Sequence, residues 1–173
     1  MKTEFEVLAA VSQAIDTAFG LLPRQMDSVP ARVLMYAIGL QESKFVHRFQ
    51  VVAGRPGVRG PARGFWQFEA GGGVKGVMKH TASRYWANNI CQVRGVPFDQ
   101  TTIHKALETD DVLAAAFARL LIFTDVKSLP GINEVDAAWA LYADRCWRPG
   151  KPHPESWAGY HRLAREFVTL GGL

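Results

Sequence analysis

At 173 residues the chain is long enough for one domain with a sizeable core and too short for two equal ones. Hydrophobic residues make up 48% and charged residues 21%, with 16 glycines and 9 prolines, which excludes a disordered, collagen-like or mucin-like chain. The formal charge of +4 favours anionic partners, and it is local, because eight Lys or Arg between Lys44 and Arg84 stand against a single acid, Glu69.

In chain order the pattern reads as helices interrupted by one loop region. Thr3 with Glu6 fits a capping box, and Phe5, Leu8, Val11, Ile15, Ala18 and Leu22 follow at steps of three and four until Pro23. Ser28 and Pro30 suit a second helix entry, after which Leu34, Ile38, Glu42 and Phe45 share one face. Residues 46–76 hold 10 glycines and prolines, so they predict a long loop or small hairpin, with Val51-Val52 and Phe65-Trp66-Gln67-Phe68 as short strands. Gly71-Gly72-Gly73 lacks the spacing of a phosphate loop and reads as a hinge or cleft wall.

Helical periodicity resumes over Ala82–Val93, closed by Gly95 and Pro97, and again over Val112–Phe123 after the cap candidates Thr109 and Asp110. A short turn is expected around Ile103 to Glu108. Asn133 and Asp136 open another helix, with Val135, Trp139, Tyr142 and Cys146 on one face. Pro149, Pro152 and Pro154 break it, and a last helix carries Trp157, Tyr160, Ala164, Phe167 and Val168 before a Gly171-Gly172 tail. The expectation is a mainly α single domain over 1–173, with six or so helices and a small β-hairpin or loop region.

Two cysteines, Cys91 and Cys146, are too few for a disulfide framework and are expected to be reduced and at least partly buried. The residues from Met1 to Glu6 carry two acids where a secretory leader would be basic, and no apolar run approaches the roughly 18 residues of a membrane span. His47, His80, His104, His153 and His161 show no i, i+4 spacing, so no metal site and no cofactor are expected.

Glu42 is the most informative residue, because its stripe mates Leu34, Ile38 and Phe45 are apolar and its carboxyl should project toward the core. Desolvation there raises a carboxyl pKa, and a carboxylic acid still protonated near neutral pH is what protonation of a glycosidic leaving oxygen requires. The same spacing also fits a helix-end glutamate that reaches solvent or pairs with Lys44, Arg48 or a loop arginine. Gln67 reads equally as a polar residue in a half-buried strand, and Tyr142 as a core aromatic.

Ile38-Gly39-Leu40-Gln41-Glu42-Ser43-Lys44-Phe45, followed by Gly60-Pro61-Ala62-Arg63-Gly64-Phe65-Trp66-Gln67, resembles the Glu-Ser and Gly-Leu-Met-Gln motifs of soluble lytic transglycosylases and goose-type lysozymes. Ala138-Trp139-Ala140-Leu141-Tyr142-Ala143 is similar to the Ala-Tyr-Asn segment of that family, and the likeness spans about residues 30–160. It implies a lysozyme-like fold that cleaves the bond between N-acetylmuramic acid and N-acetylglucosamine in peptidoglycan. Glu42 would then be the catalytic acid, Ser43 would orient it or the substrate, Gln67 would line the sugar cleft, and Tyr142 would hydrogen-bond near the Glu42 carboxyl. Ala143 stands where the family has Asn, and Phe65-Trp66 replace Leu-Met, which implies a more aromatic cleft with Phe65 and Trp66 against the sugar.

Glu69, just after Gln67, is the second carboxylate to weigh, since glycoside hydrolysis normally uses two. By the resemblance a lytic transglycosylase needs only one, and hydrolysis becomes the better reading if Glu69 faces Glu42 across room for a water. Two further readings stand beside the enzyme: a nucleic-acid-binding module built on the basic stretch with Phe65, Trp66, Tyr85 and Trp86, and a non-catalytic saccharide-binding or structural protein. With no leader and no span, the enzyme reading points to a bacteriophage protein. It would be carried in the virion beside other virion proteins, or made in the bacterial cytoplasm and released to the wall at lysis.

Overall fold

Two helices that are apolar nearly all round set the architecture. In α2 (Val29–Ser43) the buried residues include Ala31 and every residue from Val33 to Leu40, and in α6 (Asp111–Phe123) every residue from Leu113 to Ile122 is buried. A helix without a polar face belongs in the middle of the molecule, and the others wrap these two. Among the described residues, 2–171 of a computed structural model, there are eight α-helices and one two-stranded antiparallel sheet. Gly172 of the expected tail lies outside them.

The first helix, α1 (Glu4–Leu21), packs on α6, and its Thr3–Glu6 capping box forms as the sequence predicts. In α2 the Ser28 hydroxyl accepts the Ala31 N–H at the N-terminus, and Pro30 sits in the first turn. α8 (Pro154–Thr169) lies along α2, while α4 (Arg84–Arg94) packs on α6 and closes with Gly95 in the left-handed region. Asp110 caps α6. One continuous apolar core joins these elements, and Cys91 and Cys146 are free thiols buried within it. No helix of the described residues is long and apolar enough to cross a membrane.

The segment from 46 to 76 differs from its expected form. The strands are β1 (Phe49–Val51) and β2 (Arg59–Arg63), paired antiparallel with Phe49 opposite Arg63 and Val51 opposite Arg59. Phe65-Trp66-Gln67 is a tight turn, not a strand, closed by the Gln67 N–H donating to the Gly64 carbonyl and by a bridge between Arg63 and Phe68. Gly64 starts that turn at φ 74°, where a side chain would also meet the Leu107 carbonyl. The glycine triplet forms a π-helical turn, Ala70–Val74, that runs into the short α3 (Lys75–Lys79). The expected turn at 103–108 is mostly helix, α5 (Gln100–Ala106), capped by Asp99. After α7 (Val135–Ala140) the chain continues as a second π-helical segment, Leu141–Cys146.

Candidate active site

The last turn of α2 delivers three side chains, Gln41, Glu42 and Ser43, to one end of the core. Lys44 then enters the left-handed region at φ 54° and Phe45 follows at φ 55°, which folds Phe45 back beneath the helix. Its ring packs edge-on against Phe65 and Trp66 at centroid distances of 5.6 and 5.5 Å. Ser43 pins this corner, its hydroxyl donating to the Phe65 carbonyl at 2.7 Å and accepting the Phe45 N–H at 3.1 Å.

Glu42 faces a cleft of about 1320 Å³ whose walls come from the end of α2, the β1 hairpin strand, the Gln67–Gly73 segment and the π-helical segment with the loop behind it. One of its carboxyl oxygens, Oε1, accepts the Tyr142 phenol at 2.7 Å. Tyr142 is itself held by stacking on Trp157, with ring centroids 5.2 Å apart and planes 5° from parallel. Burial raises the Glu42 pKa from 4.5 to about 7, the Tyr142 hydrogen bond pulls the other way, and the Glu69 charge adds to the rise. The C-terminal end of the α2 dipole also disfavours a negative charge at this position. Burial and the Glu42 charge together hold the Tyr142 phenol well above its ordinary pKa, so Tyr142 is a fixed donor.

The other sequence-predicted residues divide into two groups. Gln67 and Glu69 line the same cleft as Glu42, Ser43 and Tyr142, and the exposed Glu69 lies near enough for its charge to act on Glu42. The Gln67 side-chain amide nitrogen is committed to the Gly64 carbonyl at 2.9 Å.

Phe65 and Trp66, expected against substrate, are core residues beneath the cleft and not part of its lining. The Trp66 indole N–H donates to the Met35 carbonyl of α2 at 2.8 Å, and Arg48 covers the Phe65 ring at 4.3 Å. Besides Tyr142, the Phe, Tyr and Trp side chains that line the cleft are Phe49, Phe68 and Trp147, the last donating its indole N–H to the Trp66 carbonyl at 2.9 Å. Ala143 packs against the core and offers no polar contact.

Sequence reasoning missed Gln41, His47, Trp147, Arg148, Lys151 and His153, all on the cleft lining. The Trp147-Arg148-Pro149-Gly150 run did carry a signal, since proline and glycine after a helix mark a loop and loops carry function. Gln41 and Ser156 join the two ends of the wall: the Gln41 side-chain amide nitrogen donates to the His153 carbonyl at 2.9 Å, and the Ser156 hydroxyl donates to the Gln41 side-chain oxygen Oε1 at 3.1 Å. Among the described residues no group of three or more His, Cys, Asp or Glu side chains is placed to hold a metal.

The basic stretch is less charged in space than in sequence. Arg48 pairs with Asp111 at 2.8 Å, and Arg63 pairs with Glu108 at 3.1 Å, where Arg59 also binds. Three of the eight cations are thus offset by acids 45 to 63 residues away along the chain. No protein family, curated protein or solved structure matches the chain.

Proposed function

We propose that this protein is a peptidoglycan-cleaving glycosidase with a lysozyme-like fold, acting as a lytic transglycosylase with Glu42 as general acid and then general base. The observation that carries the reading is a carboxyl with a pKa of about 7, hydrogen-bonded by Tyr142, on the wall of a cleft large enough for several sugar rings. It is supported by the convergence of the Glu-Ser motif, the Gln67 segment and Tyr142, three stretches far apart in sequence, on one cleft. Near neutral pH Glu42 is protonated in a substantial fraction of molecules. It gives its proton to the glycosidic oxygen as the C1–O bond breaks. The carboxylate left behind then takes the proton of the sugar's own 6-hydroxyl, whose oxygen closes on C1 as a 1,6-anhydro ring. One carboxyl serves both steps, and the Tyr142 phenol stabilises it in the ionised one.

A hydrolytic variant has one observation in its favour, the presence of Glu69 in the same cleft with its charge felt at Glu42. The nucleic-acid reading loses support, because three arginines of the basic stretch are paired with acids and Trp66 is buried in the core.

Mass spectrometry of the soluble products from purified peptidoglycan, with wild type and Glu42→Gln side by side, tests the proposal. Anhydro-muropeptides are expected from the wild type, and their yield should fall by at least roughly 100-fold in the variant, the scale of general acid–base catalysis. Reducing-end products would turn the assignment to a hydrolase using Glu42 and Glu69. A folded wild type that releases no product would overturn the enzyme reading.

A further inference from the structure

Resting on the peptidoglycan reading, we infer that Arg148, Lys151 and Lys44 form a carboxylate-reading rim that makes the cleft specific for glycan strands bearing acidic peptides. All three line the cleft, and none is in an ion pair among the described residues. Arginines of neighbouring segments behave differently: Arg48 pairs with Asp111, Arg94 with Asp110 and Arg145 with the nearly buried Asp125. Other cations such as Arg55, Lys75, Lys79 and Arg84 are also without acids among the described residues, but they lie off the cleft lining; Lys44, Arg148 and Lys151 are the ones that face the space a substrate would fill.

The backbone gives a second, independent reason. Four non-glycine residues adopt positive φ: Lys44, Phe45, Gln67 and Arg148. Three of them line the cleft and Phe45 adjoins Lys44, so left-handed backbone is concentrated at this site. Arg148 is held at φ 46° by the N–H groups of Trp147 and Arg148, which both donate to the Tyr142 carbonyl. The residue that donates to Glu42 through its phenol therefore also turns, through its carbonyl, the loop that presents the arginine. Side-chain recognition at such a strained position is a use of strain in keeping with where it is found in proteins.

The charge balance fits an anionic polymer that is neutral along its sugars. The carboxyls in the cleft are Glu42, which is partly protonated at neutral pH, and Glu69; the nearby Glu155 is occupied by His153 at 3.1 Å. A neutral polysaccharide would gain nothing from three unpaired cations, whereas peptide carboxylates branching from a bound strand would meet them. Arginine suits the role because its planar fork accepts a carboxylate in two parallel hydrogen bonds.

The test is a binding measurement, made on Glu42→Gln protein so that nothing is consumed. Soluble peptide-bearing glycan strands are compared with the same strands after their carboxylates are capped as methylamides. The uncapped strands are expected to bind about tenfold more tightly at low salt, with the preference shrinking as ionic strength shortens the Debye length. Arg148→Gln with Lys151→Gln should bring the ratio of the two affinities close to one, while Arg148→Lys should retain most of it; circular dichroism and Tm confirm that each variant is folded. Equal binding of capped and uncapped strands by the parent protein, or an undiminished ratio in the double variant, overturns the rim. Preferential binding of uncapped strands by a protein whose wild type releases no product overturns the enzyme reading alone. Binding of neither strand overturns both.

Discussion

A carboxyl with a folded-state pKa of about 7 in place of the ordinary 4.5 keeps its proton over a range of pH in which the unfolded chain has lost it. Below about 4.5 both states are protonated and Glu42 leaves stability unaffected. Between about 4.5 and 7 the native state binds more protons than the unfolded state, so stability falls as pH rises. Above 7 the loss is complete, on the order of 3 kcal/mol at 1.36 kcal/mol per pKa unit. Glu42→Gln removes the ionisable group, and its Tm should match the wild type at pH 4 and exceed it at pH 8 by about 6 °C or more for a chain of this size. Calorimetry at the two pH values checks this, and an equal difference at both would mean that Glu42 is not held protonated by the fold. The sequence could point to Glu42, because a lone carboxylate on an apolar stripe stands out at short range. Its pairing with Tyr142 joins residues 100 positions apart, and local spacing cannot report that; only the resemblance raised it. Phe65 and Trp66 misled for a related reason. An aromatic side chain suits a core and a sugar cleft equally, and which it faces is decided by a turn that the sequence disguised as a strand.

Helix α2 ends where it must because its Gly39 leaves room for the Phe45 ring to fold back beneath it. A Cβ at Gly39 would overlap that ring, and the ring cannot retreat freely, being packed edge-on against Tyr36, Phe65 and Trp66. Alanine normally favours a helix interior over glycine by about 1 kcal/mol. Here overpacking should reverse the sign, making Gly39→Ala destabilising by about 2 kcal/mol in urea unfolding. In a Phe45→Ala background the clash has no partner, and the same substitution should become neutral or stabilising. A stabilising Gly39→Ala in the otherwise wild-type chain would show that Phe45 does not set the corner carrying Glu42 and Ser43. At this scale the long helices were readable from periodicity and caps, as with Thr3, Ser28 and Asp110. Short elements were not. In α5 only Ile103 is buried, so no apolar period exists to find, and β2 is Arg-Gly-Pro-Ala-Arg, whose strand character comes from its partner across the hairpin.

Across the whole molecule, the cleft is bounded by the two π-helical segments, Ala70–Val74 and Leu141–Cys146, while the helices behind it form one continuous core. Extra residues in a helical turn loosen its hydrogen bonding, and such turns recur at functional sites. A cleft wall built on them should open locally at less free energy than the core unfolds. The two thiols sit in the right places to measure this. Cys91 is completely buried on α4, whereas Cys146 closes the second π-helical segment on the cleft wall with 8% exposure. Burial pushes both thiols up to about 12, so at pH 8 each is protected more than roughly 1000-fold relative to a free thiol of ordinary pKa. Pulse labelling with a maleimide, read by mass spectrometry, should modify Cys146 faster than Cys91 under native conditions. Low urea should accelerate Cys91 steeply, because its exposure requires global unfolding, and Cys146 only weakly, because a local opening exposes little surface. Equal rates with equal urea dependence would mean that the wall carrying Tyr142 unfolds only with the core, and that any ligand must enter a cleft that does not open.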